Sequence, residues 1–248
     1  MKNFIDINCD LGEGIGNEKE LLPFISSANI ACGYHAGDED TMKKTIELCL
    51  EYGIAIGAHP SFPDRANFGR TNMNFPAEEL HKIMLDQIHT ISNIAAGFGT
   101  KLQHVKPHGA LYNMAAKDFE LAYILTQSVK EMDTHLCFFG LPNSEMEKAS
   151  NKSGIQFIGE AFSDRTYQND GTLTPRTNSN ALIESETEAI EQVLQIIQTG
   201  TVTSVLGNKI PLLAETICIH GDGKHAVLFA KSLYKKLNQN HIQIKPLR

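Results

Sequence analysis

Seven short apolar runs, most of them followed by a stretch with helical spacing, constrain this chain more than any other feature. The runs are Phe4 to Cys9, Asn29 to Cys32, Ile54 to Ala58, Leu102 to Val105, Leu136 to Phe139, Ile155 to Ile158 and Ile217 to Ile219. Short apolar segments bounded by turn residues read as buried strands. Between most of them, Thr41 to Tyr52, Pro76 to Ala96, Phe119 to Met132, Asn143 to Ser150, Ser185 to Gln198 and Lys224 to Leu237 repeat their apolar residues at helical intervals. Strands alternating with helices imply βα units and a parallel sheet.

At 248 residues the chain is long enough for a single α/β barrel, with two smaller domains as the alternative. No linker, repeat or low-complexity tract divides it, so one catalytic domain over residues 1–248 is expected. Pro76 suits the first turn of its helix, Glu78 and Glu79 suit that helix's positive end, and Gly97 and Gly99 suit its termination. Two polar segments, Pro60 to Phe75 and Ser163 to Asn180, are long for structureless connections, and loops of that length usually carry function.

Charge narrows the partners. With 22 Lys and Arg against 29 Asp and Glu the formal net charge is −7, and no segment gathers the basic surface that nucleic acid requires. No stretch approaches the roughly 18–20 apolar residues of a membrane helix, and the first ten residues lack a basic start followed by an apolar run. A cytoplasmic protein acting on a small molecule is expected. Cys9, Cys32, Cys49, Cys137 and Cys218 show no CxxC spacing and lie mostly in apolar runs, so buried reduced thiols are expected.

Side chains alternate sides along a strand, so Asp6, Asn8 and Asp10 share one face of the first run and Ile5, Ile7 and Cys9 the other. If the polar face looks into a barrel, two buried carboxylates there require cations, hydrogen bonds or a metal. An edge strand with one wet face is the alternative. In His104-Val105-Lys106-Pro107-His108 the same alternation brings two imidazoles and an ammonium together. Lys106 then serves as a proton acceptor or His108 as a neutral base, or Lys106 neutralises the aspartates.

His35 and His59 each fall just past the carboxyl end of a strand, where α/β sheets and barrels bind ligands. Asp10, His35 and His59 could together hold a divalent metal, although no HExxH or cysteine pattern supports one. Glu160, Asp164, Arg165, Tyr167 and Arg176 crowd one loop, where the two arginines could clamp a carboxylate or phosphate or simply pair with aspartates on a solvated surface. In Ile219-His220-Gly221-Asp222-Gly223-Lys224-His225 a strand runs into a helix, where the glycines expose backbone N–H groups to an anion at the helix's positive end. It is not a Walker A loop, because GxxxxGK[ST] is absent.

Six segments together resemble the LamB/YcsF family: DINCDLGEG at Asp6 to Gly14, ANIACGYHAGD at Ala28 to Asp38, IGAHPSFPDRANFGR at Ile56 to Arg70, VKPHGALYN at Val105 to Asn113, EAFSDRTY at Glu160 to Tyr167, and ICIHGDG at Ile217 to Gly223. The resemblance implies an irregular seven-stranded (β/α) barrel related to the glycoside hydrolase/deacetylase fold. It also implies ATP-dependent hydrolytic opening of 5-oxoproline to L-glutamate, as the A component of a 5-oxoprolinase working with B and C components. ATP is then a co-substrate. For that chemistry Asp10 or His59 activates water, Lys106 and His108 stabilise the oxyanion or protonate the leaving nitrogen, and Arg165 or Arg176 holds an anionic group. His35 completes the catalytic set, and Asn8, Glu160, Asp164, Tyr167, His220 and Asp222 join the arginines in binding substrate. Two rivals stand beside this reading. One is a metal-dependent carbohydrate deacetylase-like or amide hydrolase acting alone through Asp10, His35 and His59; the other is a non-catalytic regulatory binding partner.

Overall fold

The computed structural model describes residues 3–221 and 226–247. In chain order its elements are β1 (Phe4–Leu11), α1 (Glu18–Leu21), β2 (Ser27–Ala31), α2 (Glu39–Tyr52), β3 (Ala55–His59), α3 (Ala77–Gly97), β4 (His104–Val105), α4 (Gly109–Ala115) and α5 (Phe119–Met132). There follow β5 (Cys137–Gly140), α6 (Glu145–Ser153), β6 (Gln156–Phe162), α7 (Glu186–Thr199), β7 (Thr201–Thr203), β8 (Lys209–Pro211), β9 (Thr216–Ile219), α8 (Ala226–Gln239) and β10 (Gln243–Ile244).

Seven of the strands close a ring. β1, β2, β3, β4, β5 and β6 pair in sequence, β6 pairs with β9, and β9 returns to β1, every pairing parallel. The expected α/β class and irregular seven-stranded barrel are both met, and all seven apolar runs are barrel strands. β10 adds to the start of β1, and β7 and β8 form a separate antiparallel hairpin.

Local chemistry sets the boundaries. Asp38 accepts from the Thr41 backbone N–H at 2.8 Å and so starts α2 at Glu39, two residues before the apolar period suggests. Asp118, Ser144 and Ser185 cap α5, α6 and α7 in the same way, and Gly53, Gly154 and Gly200 end α2, α6 and α7 in left-handed conformation. Pro76 precedes the first helical residue of α3 rather than occupying its first turn, with Glu78 and Glu79 in that turn. The predicted start of the last helix at Lys224 lies outside the described residues.

The outward side chains of β1, Ile5, Ile7, Cys9 and Leu11, are buried against the surrounding helices, which bury Ile46, Cys49, Met84, Ile88, Ile91, Leu125 and Val129. Each such side chain contributes roughly 1.5–3 kcal/mol on burial. The inward face carries Asp6, Asn8 and Asp10, all buried, so the edge-strand alternative fails for β1. No two of the five cysteines form a disulfide, and all are buried, as expected. Burial pushes the Cys32 and Cys49 thiols up to about 12.

Candidate functional site

The barrel interior is polar and layered. At its base Asp6 accepts from the hydroxyls of Ser26 and Ser27, each at 2.7 Å on Oδ1, and from Thr216 on Oδ2. Burial raises the Asp6 pKa, and the hydroxyl donors only partly offset it. In the next layer Asn29 donates to Asn8 and Asp10 at 2.7 and 2.8 Å, Asn8 donates to Thr216, and His104 donates to Asn29 at 2.7 Å. Burial, with Lys106 nearby, pushes His104 down to about 3, so it is a neutral structural group.

Lys106 stands above them with its Nζ 2.9 Å from Asp10 Oδ1, 2.8 Å from Glu160 Oε1, 3.2 Å from Asn8 Oδ1 and 3.0 Å from Cys218 Sγ. Burial disfavours the ammonium, but the two carboxylates outweigh it and hold Lys106 well above its usual range. Of the roles open to it in sequence, the structure supports the one that neutralises aspartate; as a proton acceptor it is poorly placed, because it keeps its proton. Burial likewise raises Asp10, yet His59 and Lys106 outweigh it and hold this carboxyl well below the usual range. The Cys218 thiol is pushed well up by burial, which keeps it from acting as a thiolate.

Three histidines crown this stack. His59 ends β3, His35 lies in the loop after β2, and His108 precedes α4. The His59 Nδ1–H donates to the Lys106 carbonyl at 2.7 Å, and the His108 Nε2–H donates to the Phe68 carbonyl at 2.9 Å, since a carbonyl can only accept. His59 Nε2 and His108 Nδ1 therefore face each other, 2.9 Å apart. His35 stacks on His108 with ring centroids 3.9 Å apart. Burial, and for His108 the neighbouring His35 and His59, push both His35 and His108 below the usual histidine range.

Sequence reasoning missed Glu13, as it missed Arg70 and Lys117 on the cavity wall. Glu13 Oε1 lies 3.3 Å from His35 Nε2, 3.5 Å from His108 Nδ1 and 3.9 Å from His59 Nε2. Glu13, His35, His59 and His108 thus gather their ligand atoms within 4.8 Å of one another, and so, separately, do Asp10, Cys218 and His220. The metal set read from sequence, Asp10 with His35 and His59, is not the one whose ligand atoms converge: Asp10 Oδ2 stays 3.5 Å from His59 Nε2 while Oδ1 is held by Lys106 and Asn29, and Glu13 is the carboxylate that reaches all three histidines. The signal was the Gly-Glu-Gly loop, where Gly12 and Gly14 take φ of 70° and 83° and turn Glu13 back over the barrel.

Two close approaches fix these loops. A Cβ on Gly37 would sit 2.6 Å from the Gly12 carbonyl oxygen, and one on Gly109 would sit 2.5 Å from the Gly69 carbonyl oxygen. Both positions also have positive φ, 73° and 56°, so glycine is required twice over. Arg65 ties the same loops by donating to the Gly33 and Gly37 carbonyls at 3.0 and 2.8 Å.

The stack opens into a cavity of about 580 Å³, with Asp10, Glu13, His59, Lys106 and His108 on its floor. Its wall is basic, formed by Arg70, Lys117, Arg165 and Arg176 with His220. The two long loops read from sequence supply most of that wall. Arg165 is largely committed to its own loop, donating to the Thr174 carbonyl at 2.6 Å and the Ala181 carbonyl at 3.3 Å, and burial lowers its pKa to about 10. Arg176 is exposed, its Nη2 3.3 Å from His220 Nε2. His220 in turn holds Asp164 through Nδ1 at 2.8 Å; burial opposes the imidazolium, and the Asp164 charge outweighs it and raises His220.

Of the residues singled out in sequence, Asp10, His59, Lys106, His108, Arg165, Arg176 and His220 line this cavity. His35 backs it behind His108, whereas Asn8 and Glu160 are buried beneath it and Tyr167, whose hydroxyl accepts from the Phe162 N–H at 2.8 Å, is buried behind its wall. Asp222 lies outside the described residues. Among the described residues, no helix is long and apolar enough to cross a membrane.

A parallel barrel whose ionisable side chains gather in a cavity at the carboxyl ends of its strands belongs to the (β/α)-barrel class that builds its sites on the connecting loops. Within that class the chain belongs to the LamB/YcsF family, whose model matches residues 5–248. It is 50% identical over 246 residues to the 5-oxoprolinase A subunits of Bacillus cereus (strain AH187) and Bacillus anthracis (strain CDC 684 / NRRL 3495), the alignments covering 97% of each chain. It also superposes on the lactam utilization protein from Thermus thermophilus with a TM-score of 0.92 at 35% identity, covering 100% of both chains.

Proposed function

We propose that this chain opens the ring of 5-oxoproline to give L-glutamate, as the A component of an ATP-hydrolysing 5-oxoprolinase that works with B and C components in the cytoplasm. The observation that carries the reading is a dissociated acid, Asp10, 3.5 Å from His59 on the floor of a cavity with a cationic wall, in a chain 50% identical to proteins of that name.

The reaction makes four demands. Water oxygen must bond to the ring carbonyl carbon, the ring C–N bond must break, the nitrogen must gain a proton, and the carboxylate must be held. Asp10, held ionised on the cavity floor, takes a proton from water and passes it to the leaving ring nitrogen. The Lys106 ammonium holds Asp10 ionised and adds positive potential where oxyanion charge grows. Arg176, with Arg70 and Lys117, offers the anion clamp, since Arg165 is mostly taken up by its own loop. ATP makes the carbonyl a better electrophile when its terminal phosphoryl group moves to that oxygen and ADP leaves, on one of the partner proteins, because this chain lacks the Walker A sequence; water then adds, the C–N bond breaks, and a second water releases phosphate from the acyl phosphate. Glutamate release from 5-oxoproline by the chain with its two partners, with and without ATP, tests the reading. Release that requires both ATP and this chain supports it, and release undiminished without this chain removes it.

A further inference from the structure

We propose that Glu13, His35, His59 and His108 bind one first-row divalent cation of the zinc type at the floor of the cavity. The site is defined by one ligand atom from each residue, all within 4.8 Å of one another, and it holds whichever substrate the cavity takes.

The tautomers are set by backbone carbonyls. Because His59 gives its Nδ1 proton to the Lys106 carbonyl and His108 gives its Nε2 proton to the Phe68 carbonyl, the two remaining ring nitrogens face each other across 2.9 Å, a gap with room for at most one proton. Two acceptors at that distance repel unless something electron-poor lies between or beside them. Carbonyl acceptors on the distal ring nitrogens are also the usual outer support of metal-binding histidines. Phe68 holds its carbonyl there from a left-handed backbone with φ of 56°, a conformation costly for a bulky side chain and found where function requires it. His35 brings the third nitrogen: its Nε2 faces Glu13, while its buried Nδ1 has no hydrogen-bond partner among the described residues.

The spacing fits. Four ligands at the zinc–nitrogen and zinc–oxygen bond lengths of about 2.0–2.1 Å in a tetrahedron stand roughly 3.3–3.4 Å from one another. The separations are 2.9 Å for His59 to His108, 3.3 Å for His35 to Glu13, 3.5 Å for His108 to Glu13 and 3.9 Å for His59 to Glu13, and the two remaining pairs, His35 with His59 and with His108, lie within 4.8 Å. Three imidazoles and one carboxylate suit zinc and its first-row neighbours rather than calcium or magnesium, which prefer oxygen. Glu13, His59 and His108 also line the cavity, so an ion has a way in.

The alternative filler is a proton shared by His59 and His108, and the experiment separates the two. The full chain, freed of metal by a chelator and dialysed, is titrated with zinc chloride by calorimetry, and the cobalt(II) form is examined by visible absorption. One ion per chain and a tetrahedral cobalt spectrum are expected. His59→Ala and Glu13→Gln, checked for folding by circular dichroism, should each weaken binding by about 100-fold or more, at or beyond the 10–100-fold loss typical of outer-shell changes. Asp10→Asn should still bind one ion. Absence of zinc and cobalt binding by the wild-type chain overturns the proposal in favour of the shared proton. Binding lost in Asp10→Asn but kept in Glu13→Gln overturns the ligand set. Glutamate release is not the readout, so the result stands apart from the substrate assignment.

Discussion

The base and the mouth of this barrel are built from the same kinds of residue on the same strand faces, yet they are finished differently. At the base, Asp6 has Ser26, Ser27 and Thr216 as donors, and Asn8, Asn29 and His104 satisfy one another. At the mouth, His59 Nε2 and His108 Nδ1 face each other across 2.9 Å while their far nitrogens are already held by backbone carbonyls. A closed hydrogen-bond network contributes rigidity and specificity; an incomplete one, held in place by the first, is where an outside species belongs.

Lys106 joins the two regions, and its removal gives the largest expected effect. Lys106→Met leaves Asp10 and Glu160 buried without their cation, and urea unfolding should show a loss of about 3–5 kcal/mol. At the mouth, Asp10→Asn should cost less stability than Lys106→Met, since Glu160 still pairs with Lys106, while ATP-dependent glutamate release falls by about 100-fold or more. An equal loss of stability would erase the contrast between the two regions. Asp6→Asn reverses the pattern: its amide cannot accept from Thr216, so stability should drop by about 1–3 kcal/mol with release altered only a few-fold.

The pH dependence sharpens the same contrast. Since burial raises Asp6 above its ordinary 3.8, the folded state holds this proton more tightly than the unfolded chain. That contribution is fully present below the unfolded value and fades as pH rises through the folded one, so unfolding curves of Asp6→Asn should lack this segment of the wild-type pH profile. The smallest effect is expected at the rim, where Arg176→Gln should raise KM for 5-oxoproline about tenfold with kcat little changed, as for loss of an exposed anion contact.

The barrel strands were legible because apolar runs ending in polar residues have few other homes. Helix α5 is read to the residue because Asp118 caps a regular apolar period, whereas α4 is too short for periodicity and forms where Gly109 lets the chain pass under Gly69. The hairpin of β7 and β8 escaped notice because three-residue strands carry no alternation to count. Within the site, alternation along strands put Asp10, Lys106 and His108 on inward faces, and position just past a strand's carboxyl end marked His35 and His59. Neither could choose between Asp10 and Glu13 as the carboxylate beside the histidines, since that depends on how two glycines turn a loop, nor reveal that Arg165 spends its donors on its own backbone.

The pairing of β1 with β9 joins residues about two hundred positions apart, Asp6 with Thr216 and Asn8 with Cys218. On a ribosome the first strand must wait, polar face uncovered, until its last neighbour emerges. Truncated translation products ending before β9 therefore carry most of the pocket's residues but no enclosed interior to hold them, which makes such nascent chains clients for chaperones rather than early copies of the working protein.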